Sequence, residues 1–318
     1  MDLKAKKIYI AGSGGMVGSA IWRNLEYKGY RNLIGQASSE LNLINQTAVE
    51  SFFEREKPEI VVLSAAKVGG ILANNAFRAE FIYNNLMIEA NVINAAHLHG
   101  VEKLVFLGSS CIYPKFAAQP MVEEELLAGK LEFTNEPYAI AKIAGIKLCE
   151  SYFRQYGSNF FSVMPTNLYG YNDNFDLQNS HVIPGLMRKF YEAKQSKAKK
   201  VTVWGTGAAR REFLFVDDLA DAVTYLLENC NAEEFYRQGI SHINIGSGED
   251  VTINELARLI KTIVGFEGEI EYDPTKPDGT PRKLLDVSRV HRLGWKHQIS
   301  LEVGLSKTFD WFQSSRLS

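Results

Sequence analysis

Alternating strand and helix signals predict an α/β protein: a doubly wound parallel sheet followed by a smaller C-terminal domain. Three observations carry this. First, the short apolar runs KKIYIAG, EIVVLSAA, KLVFLGS and FFSVMP lack the polar alternation of a half-exposed strand, so both faces are expected to be buried. Second, amphipathic helical patterns separate these runs, and most end in glycine. Third, a glycine-rich turn, GSGGMVG, joins the first strand to the first helix.

In order, KKIYIAG is the first strand, and MVGSAIWRNLEYKG is a helix stopped by Gly29. NLIGQ is a second strand, and TAVESFFEREK a helix before Pro58. EIVVLSAA is too apolar to be half exposed and is a third strand. The long helix AEFIYNNLMIEANVINAAHLHG ends at Gly100. KLVFLGS is the fourth strand, and YAIAKIAGIKLCESYFRQYG a helix ending at Gly157. FFSVMPTNLYG is the fifth strand and its exit loop. Beyond Gly170, Gly, Pro, Asn and Asp crowd the sequence and the alternation loosens. This places a first domain over residues 1–170 and a second over 171–318. REFLFVDDLADAVTYLLEN, near 212–230, is expected to return to the first.

The 318 residues are 46% hydrophobic, enough for a sizeable core, and the net charge of −2 implies no nucleic-acid partner. The one dense basic run, KQSKAKK, reads as a solvated linker because no aromatics interleave. No run approaches the ~20 apolar residues that span a bilayer, so no membrane partner is expected. MDLKAKKIYIAG has an apolar run only one strand long, unlike a signal peptide. Cys111, Cys149 and Cys230 are odd in number and lack CxxC spacing. That argues against disulfides or zinc and for a reducing compartment, here the cytoplasm. His97 and His99, two apart on a helix, face different ways and form no metal motif.

Gly12, Gly15 and Gly18 recur every third residue where a strand becomes a helix. A dinucleotide turn needs glycine where the backbone is tight, where phosphate comes close, and where helix packs on strand. Gly12, Ser13, Gly14, Gly15, Met16, Val17 and Gly18 are therefore candidate cofactor contacts, and the sheet is of Rossmann type. An NAD site usually carries a carboxylate at the end of the second strand. GQASSE has Gln36, Ser38 and Ser39 there, with Glu40 beyond, so Ser38 and Ser39 can take a 2′-phosphate and the cofactor is expected to be NADP.

YAIAK sets Tyr138 and Lys142 four apart on one helix face. A tyrosine is a poor acid or base near neutrality, and a nearby ammonium is expected to lower its pKa. Ser109 ends the fourth strand, where open α/β sheets place ligands, and can hydrogen-bond a substrate carbonyl. GSGGMVG, GSS and YAIAK, in this order, resemble the extended short-chain dehydrogenase/reductase family. The resemblance implies hydride transfer at a sugar carbonyl served by Ser109, Tyr138 and Lys142, with NADPH as reductant. It also implies a nucleotide sugar bound in the second domain.

Ser109 and Cys111 are two apart, so an extended backbone points both the same way. From the residues alone, Cys111 is either a small core residue or, if partly ionised, a carbon base. His181 lies in a polar stretch entering the second domain. The set AAKVGGI, GSSCIYP, NEPYAIAKIAGIKLCESY, PTNLYG, NSHVIPGL, WGTG, RREF and KPDGTPRKLLD is similar to one epimerase–reductase branch of that family. Its members convert GDP-4-keto-6-deoxy-D-mannose to GDP-L-fucose by 3,5-epimerisation and 4-keto reduction. The resemblance implies Cys111 as base and His181 as acid. It implies cofactor contacts from Leu107, Gly108, Lys142, Pro165, Thr166, Asn167, Leu168 and His181, and substrate contacts from Lys189, Trp204, Arg211 and Asp278. It also implies a homodimer pairing the two long helices.

Two departures from the branch are visible. Gly14 and Ser38 stand where some members carry an arginine, and Tyr171 and Asn172 replace a proline with histidine or asparagine. The competing readings are a sister nucleotide-sugar 4-epimerase, which has no need of Cys111 or His181, a 4,6-dehydratase, which usually has a glutamate beside the serine, and a non-catalytic dinucleotide sensor on the same scaffold, which has no need of Tyr138, Lys142 and Ser109.

Overall fold

The computed structural model describes residues 3–177, 180–276 and 278–315. Its first half runs β1 (Ile8–Ala11), α1 (Met16–Tyr27), β2 (Leu33–Ile34), α2 (Gln46–Glu56), β3 (Ile60–Leu63), α3 (Ile71–Ala76), α4 (Arg78–Leu98), β4 (Lys103–Leu107), α5 (Glu136–Tyr156) and β5 (Phe160–Pro165). The chain continues as β6 (Asn167–Tyr169), α6 (Val182–Gln195), β7 (Lys200–Trp204), β8 (Arg210–Phe215), α7 (Val216–Asn229), α8 (Ala232–Tyr236), β9 (Ile243–Ile245) and β10 (Asp250–Thr252). It ends with α9 (Ile253–Val264), β11 (Glu269–Asp273), β12 (Arg282–Lys283), α10 (Ser288–Arg292) and α11 (Leu301–Ser314).

Six parallel strands form the central sheet in the order β2-β1-β3-β4-β5-β9. Every residue of β1, β3, β4 and β5 is buried, the consequence of apolar side chains on both faces. Helices α4 and α5 pack against each other, and α1 packs against α7. The strand order reverses between β1 and β3, so the loops leaving their carboxyl ends part and open a crevice, where α/β sheets bind ligands.

Two strand expectations change. The second strand spans only Leu33–Ile34 of NLIGQ, because Ser13 of the glycine turn packs over Gly35. A Cβ at Gly35 would stand 2.3 Å from Ser13 Oγ, so the chain leaves the sheet there. After β5 the exit loop is itself a strand: β6 pairs in parallel with β8, Asn167 opposite Phe213.

The lysine run is also not a free linker. Helix α6 continues through Gln195, Lys194 Nζ donates to Val264 O at 2.8 Å, and Lys200 opens β7 with an ion pair to Glu271 at 2.9 Å.

Among the described residues, two hydrophobic clusters form. One holds β1 to β5 and regains the chain at Leu214–Ile245 and again at Leu285–Trp295. The other gathers Tyr169, the buried face of α6 (Ile183, Met187, Phe190), β8, α9 and α11. Among the described residues, no helix is long and apolar enough to cross a membrane.

Candidate active site

The glycine turn is built as dinucleotide binding requires. Gly12 has φ +87°, and a Cβ there would meet Ala65 Cα and N at 2.8 Å. At Gly18 a Cβ would stand 2.1 Å from Gly12 O, so only glycine lets α1 start this close to β1. Gly15 caps α1, whose first N–H groups face the crevice as an anion site. Gly12, Gly15, Met16, Val17 and Gly18 line a single cleft of about 1260 Å³. Ser13, Gly14 and Ser39 do not line it, while Ser38 does. Beyond β2, Glu40 Oε2 accepts from Ala37 N at 3.2 Å, so that carboxylate is turned onto its own loop.

The remaining expected cofactor positions close the same cleft. Leu107 and Gly108 line it from the end of β4, and Pro165, Thr166, Asn167 and Leu168 from the end of β5. Asn167 is fixed by Nδ2 donating to Glu212 O at 2.8 Å.

Ser109, Cys111, Tyr138, Lys142 and His181 all line this cleft. Ser109 is extended (φ −157°, ψ 141°), but Ser110–Ile112 is a 3-10 turn. The expected two-residue alternation therefore does not hold, and Cys111 reaches the cleft by the turn instead. Tyr113 anchors that turn from behind: its hydroxyl meets His242 Nε2 at 2.7 Å and bonds Asn244. The Ser109 hydroxyl lies close to both the Tyr138 phenol and the Cys111 thiol, and its interaction with each opposes the rise in that group's pKa.

Tyr138 and Lys142 share one face of α5, which starts with Pro137 in its first turn and stops at Gly157 (φ 72°). Tyr138 is half-buried in the cleft. Burial pushes its phenol well above the ordinary value, with Cys111 and Glu89 adding to the rise. The expected lowering by Lys142 is thus corrected: Lys142 Nζ lies 3.0 Å from Glu89 Oε1, and that carboxylate balances its charge. Lys142 also donates to Leu107 O at 3.0 Å.

Burial likewise pushes the Cys111 thiol up, opposed by the ammonium of Lys283, the Ser109 hydroxyl and Lys142. His181 caps α6 and is exposed to the open cleft, yet the protein mass around it lowers its pKa. Near neutral pH both groups therefore rest uncharged. All three cysteines are free and buried, and among the described residues no His, Cys, Asp or Glu cluster can hold a metal ion.

At the far end of the cleft, Lys189 Nζ lies 4.9 Å and Lys276 Nζ 5.8 Å from the centroid of the Trp204 ring, which is 47% exposed. Arg211 donates to Asp278 O at 3.1 Å. The Asp278 carboxylate is occupied by Thr206, accepting from its N at 2.7 Å and its Oγ1 at 2.8 Å, so it shapes the WGTG turn. Asn179 of NSHVIPGL, Pro277 of KPDGTPRKLLD and residues 316–318 of the second domain lie outside the described residues.

Sequence reasoning did not single out three residues at the site. Lys283 lines the cleft beside Cys111. Asn135 lines it with a buried Oδ1 that finds no hydrogen-bond partner among the described residues. Glu89 lies behind Lys142 and is 1% exposed. A signal for Glu89 existed: Phe81, Asn85, Glu89, Val92 and Ala96 follow helical spacing and form the buried stripe of α4.

Comparison with known proteins agrees with this geometry. The profile of the NAD dependent epimerase/dehydratase family matches residues 8–246. GDP-L-fucose synthase of Escherichia coli (strain K12) is 58% identical over 314 residues, covering 98% of this chain and 97% of that protein. A crystal structure of a GDP-L-fucose synthetase from Naegleria fowleri bound to NADP superposes with a TM-score of 0.87 at 27% identity, over 98% of this chain and 95% of that one. A GDP-6-OMe-4-keto-L-xylo-heptose reductase from C. jejuni superposes with a TM-score of 0.94 at 42% identity, over 98% and 99% of the two chains.

Proposed function

The chain belongs to the NAD dependent epimerase/dehydratase family, and from that premise we propose that it is an NADPH-dependent GDP-L-fucose synthase. It converts GDP-4-keto-6-deoxy-D-mannose to GDP-L-fucose by inverting C3 and C5 and then reducing the C4 ketone. The observation that carries this reading is one cleft lined by a thiol, an imidazole, a Ser–Tyr–Lys set and a glycine cradle.

The C3 and C5 hydrogens of such a substrate are both α to the ketone and therefore acidic. Cys111, in its thiolate form, removes a proton from one face, and His181, in its imidazolium form, returns one from the other; proton exchange with solvent restores both forms before the second inversion. Ser109 and Tyr138 donate hydrogen bonds to the ketone oxygen and stabilise the enolate there. One such donor is worth roughly 3–4 kcal/mol. Tyr138 then gives its proton to the same oxygen, and Lys142 holds the nicotinamide ribose. Bound NADPH supplies the hydride to C4. Gly12, Gly15 and Gly18 with the α1 N-terminus suit its pyrophosphate, and Ser38 its 2′-phosphate.

Lys189 and Arg211 neutralise the substrate diphosphate, Trp204 stacks on the base, and Asp278 holds the turn that follows Trp204. A 4-keto reductase without epimerisation leaves Cys111 and His181 without a task. The two hydrophobic clusters support a division into a cofactor domain over residues 1–170, with its returning segments, and a substrate domain over 171–318.

Incubation with GDP-4-keto-6-deoxy-D-mannose and NADPH tests the function. One NADPH is consumed for each GDP-L-fucose formed. Recovery of the keto sugar unreduced, with no NADPH oxidised, would contradict it.

The reading extends to a cytoplasmic homodimer, supported by the free cysteines and by exposed apolar side chains on α4 and α5: Tyr83, Leu98, Ile140 and Tyr156. Sedimentation at twice the chain mass of 35.7 kDa is expected, and a species at the chain mass would contradict it.

A further inference from the structure

We propose that Glu89 is a positioning residue for the reduction: by pairing with Lys142 it cancels the ammonium charge beside Tyr138 and keeps the phenol protonated as the acid. Glu89 sits on the buried stripe of α4, 1% exposed, with Oε1 at 3.0 Å from Lys142 Nζ. Neither carboxylate oxygen has a well-aligned hydrogen bond. The contact is therefore one of charge, and Lys142 keeps its aligned N–H for Leu107 O.

Gly145, three residues after Lys142 on α5, makes the room. A Cβ there would stand 2.9 Å from Glu89 Oε2 and 2.4 Å from Phe106 Cζ. An apolar side chain would fill this space without the cost of burying a carboxylate. What it cannot do is cancel a charge.

That charge matters because Lys142 Nζ is 5.8 Å from the Tyr138 ring centroid and 4.6 Å from that of Phe106, and the lysine itself is buried. An uncompensated ammonium there draws the phenol toward phenolate, the wrong form for an acid. Burial raises the Glu89 carboxyl to about 7, against the pull of Lys142. Above that pH it is ionised, which is where the phenol needs protecting. The titratable groups facing this cluster are Lys142 and Cys149 of α5, Cys111 of the 3-10 turn, Lys283 of β12, and His181 across the cleft.

The test is Glu89→Gln, which keeps the shape and removes the charge. Its reduction rate, measured across neutral to alkaline pH, loses its alkaline limb about one pH unit or more below the unmodified protein. The sign follows from the charges: removing a nearby anion lowers the phenol's pKa, so the protonated acid is lost at lower pH. A second readout needs no cofactor. Cys111, also under the field of Lys142, is alkylated faster by iodoacetamide at a given pH in the variant, as read by peptide mass. An unmoved limb and an unchanged alkylation profile in folded Glu89→Gln overturn the inference. Glu89→Asp keeps the charge and retains the unmodified limb; a shift as large as in Glu89→Gln overturns it equally, and this variant serves if Glu89→Gln does not fold. The inference rests on Tyr138 as proton donor. That reading fails if Tyr138→Phe still reduces the ketone, whereas an unmoved limb with Tyr138→Phe inactive defeats the role of Glu89 alone.

Discussion

Tyr138→Phe is expected to lower the rate of ketone reduction by about 10²–10⁴-fold, the usual contribution of a positioned general acid. The ring is kept, so its edge contact with Phe81 at 6.4 Å and the α5 packing stay intact. Only the hydroxyl goes, and with it the proton for the C4 oxygen. Proton exchange at C3 and C5 also slows, because the enolate loses one of its donors, an effect of about 10²–10³-fold. Thermal stability stays close to that of the unmodified protein. Steady-state NADPH oxidation with the keto sugar measures the effect. A rate within tenfold of the unmodified protein would remove Tyr138 from the chemistry.

Cys111→Ser is expected to abolish most proton exchange at the carbons flanking the ketone, by about 10²-fold or more, while NADPH affinity is unchanged. Serine matches the thiol in size, but its hydroxyl is far too weak an acid to ionise here. Burial raises the Cys111 pKa, so the thiolate is the minor species near neutral pH. Exchange in the unmodified protein therefore climbs with pH, because the thiolate fraction grows as pH approaches the raised pKa. Lys283 and Lys142 limit how far the pKa rises, and they are the cations that hold the thiolate once formed. Exchange independent of pH would count against sulfur as the base. Exchange is read by mass spectrometry of the nucleotide sugar, and cofactor affinity by NADPH fluorescence.

Much of the site was legible in the chain because it depends on local spacing. The three-residue rhythm of Gly12, Gly15 and Gly18 is a property of one turn, and the structure shows the two close approaches that make glycine necessary at Gly12 and Gly18. Tyr138 and Lys142 share a face for any helix over those residues. Cys111 illustrates a conclusion reached through a wrong intermediate. Alternation in an extended strand pointed it at the substrate, whereas a 3-10 turn pinned by Tyr113 onto Asn244 and His242 does so.

Long-range pairings were not legible. The mixed sheet of β6, β8, β10 and β12 joins short segments far apart in sequence, and no local pattern encodes that register. The Lys142–Glu89 ion pair crosses between α4 and α5, so Lys142 read as a free cation that would lower the Tyr138 pKa. The periodicity of α4 did place Glu89 on the buried stripe, and a carboxylate there needs a partner. The sequence does not say which one.

The central claim is that one cleft both loosens the protons beside a ketone and then reduces it. The most direct test is to incubate the unmodified protein with GDP-4-keto-6-deoxy-D-mannose in heavy water without NADPH. The account predicts deuterium at both C3 and C5. A substrate recovered with no deuterium at either carbon would contradict it.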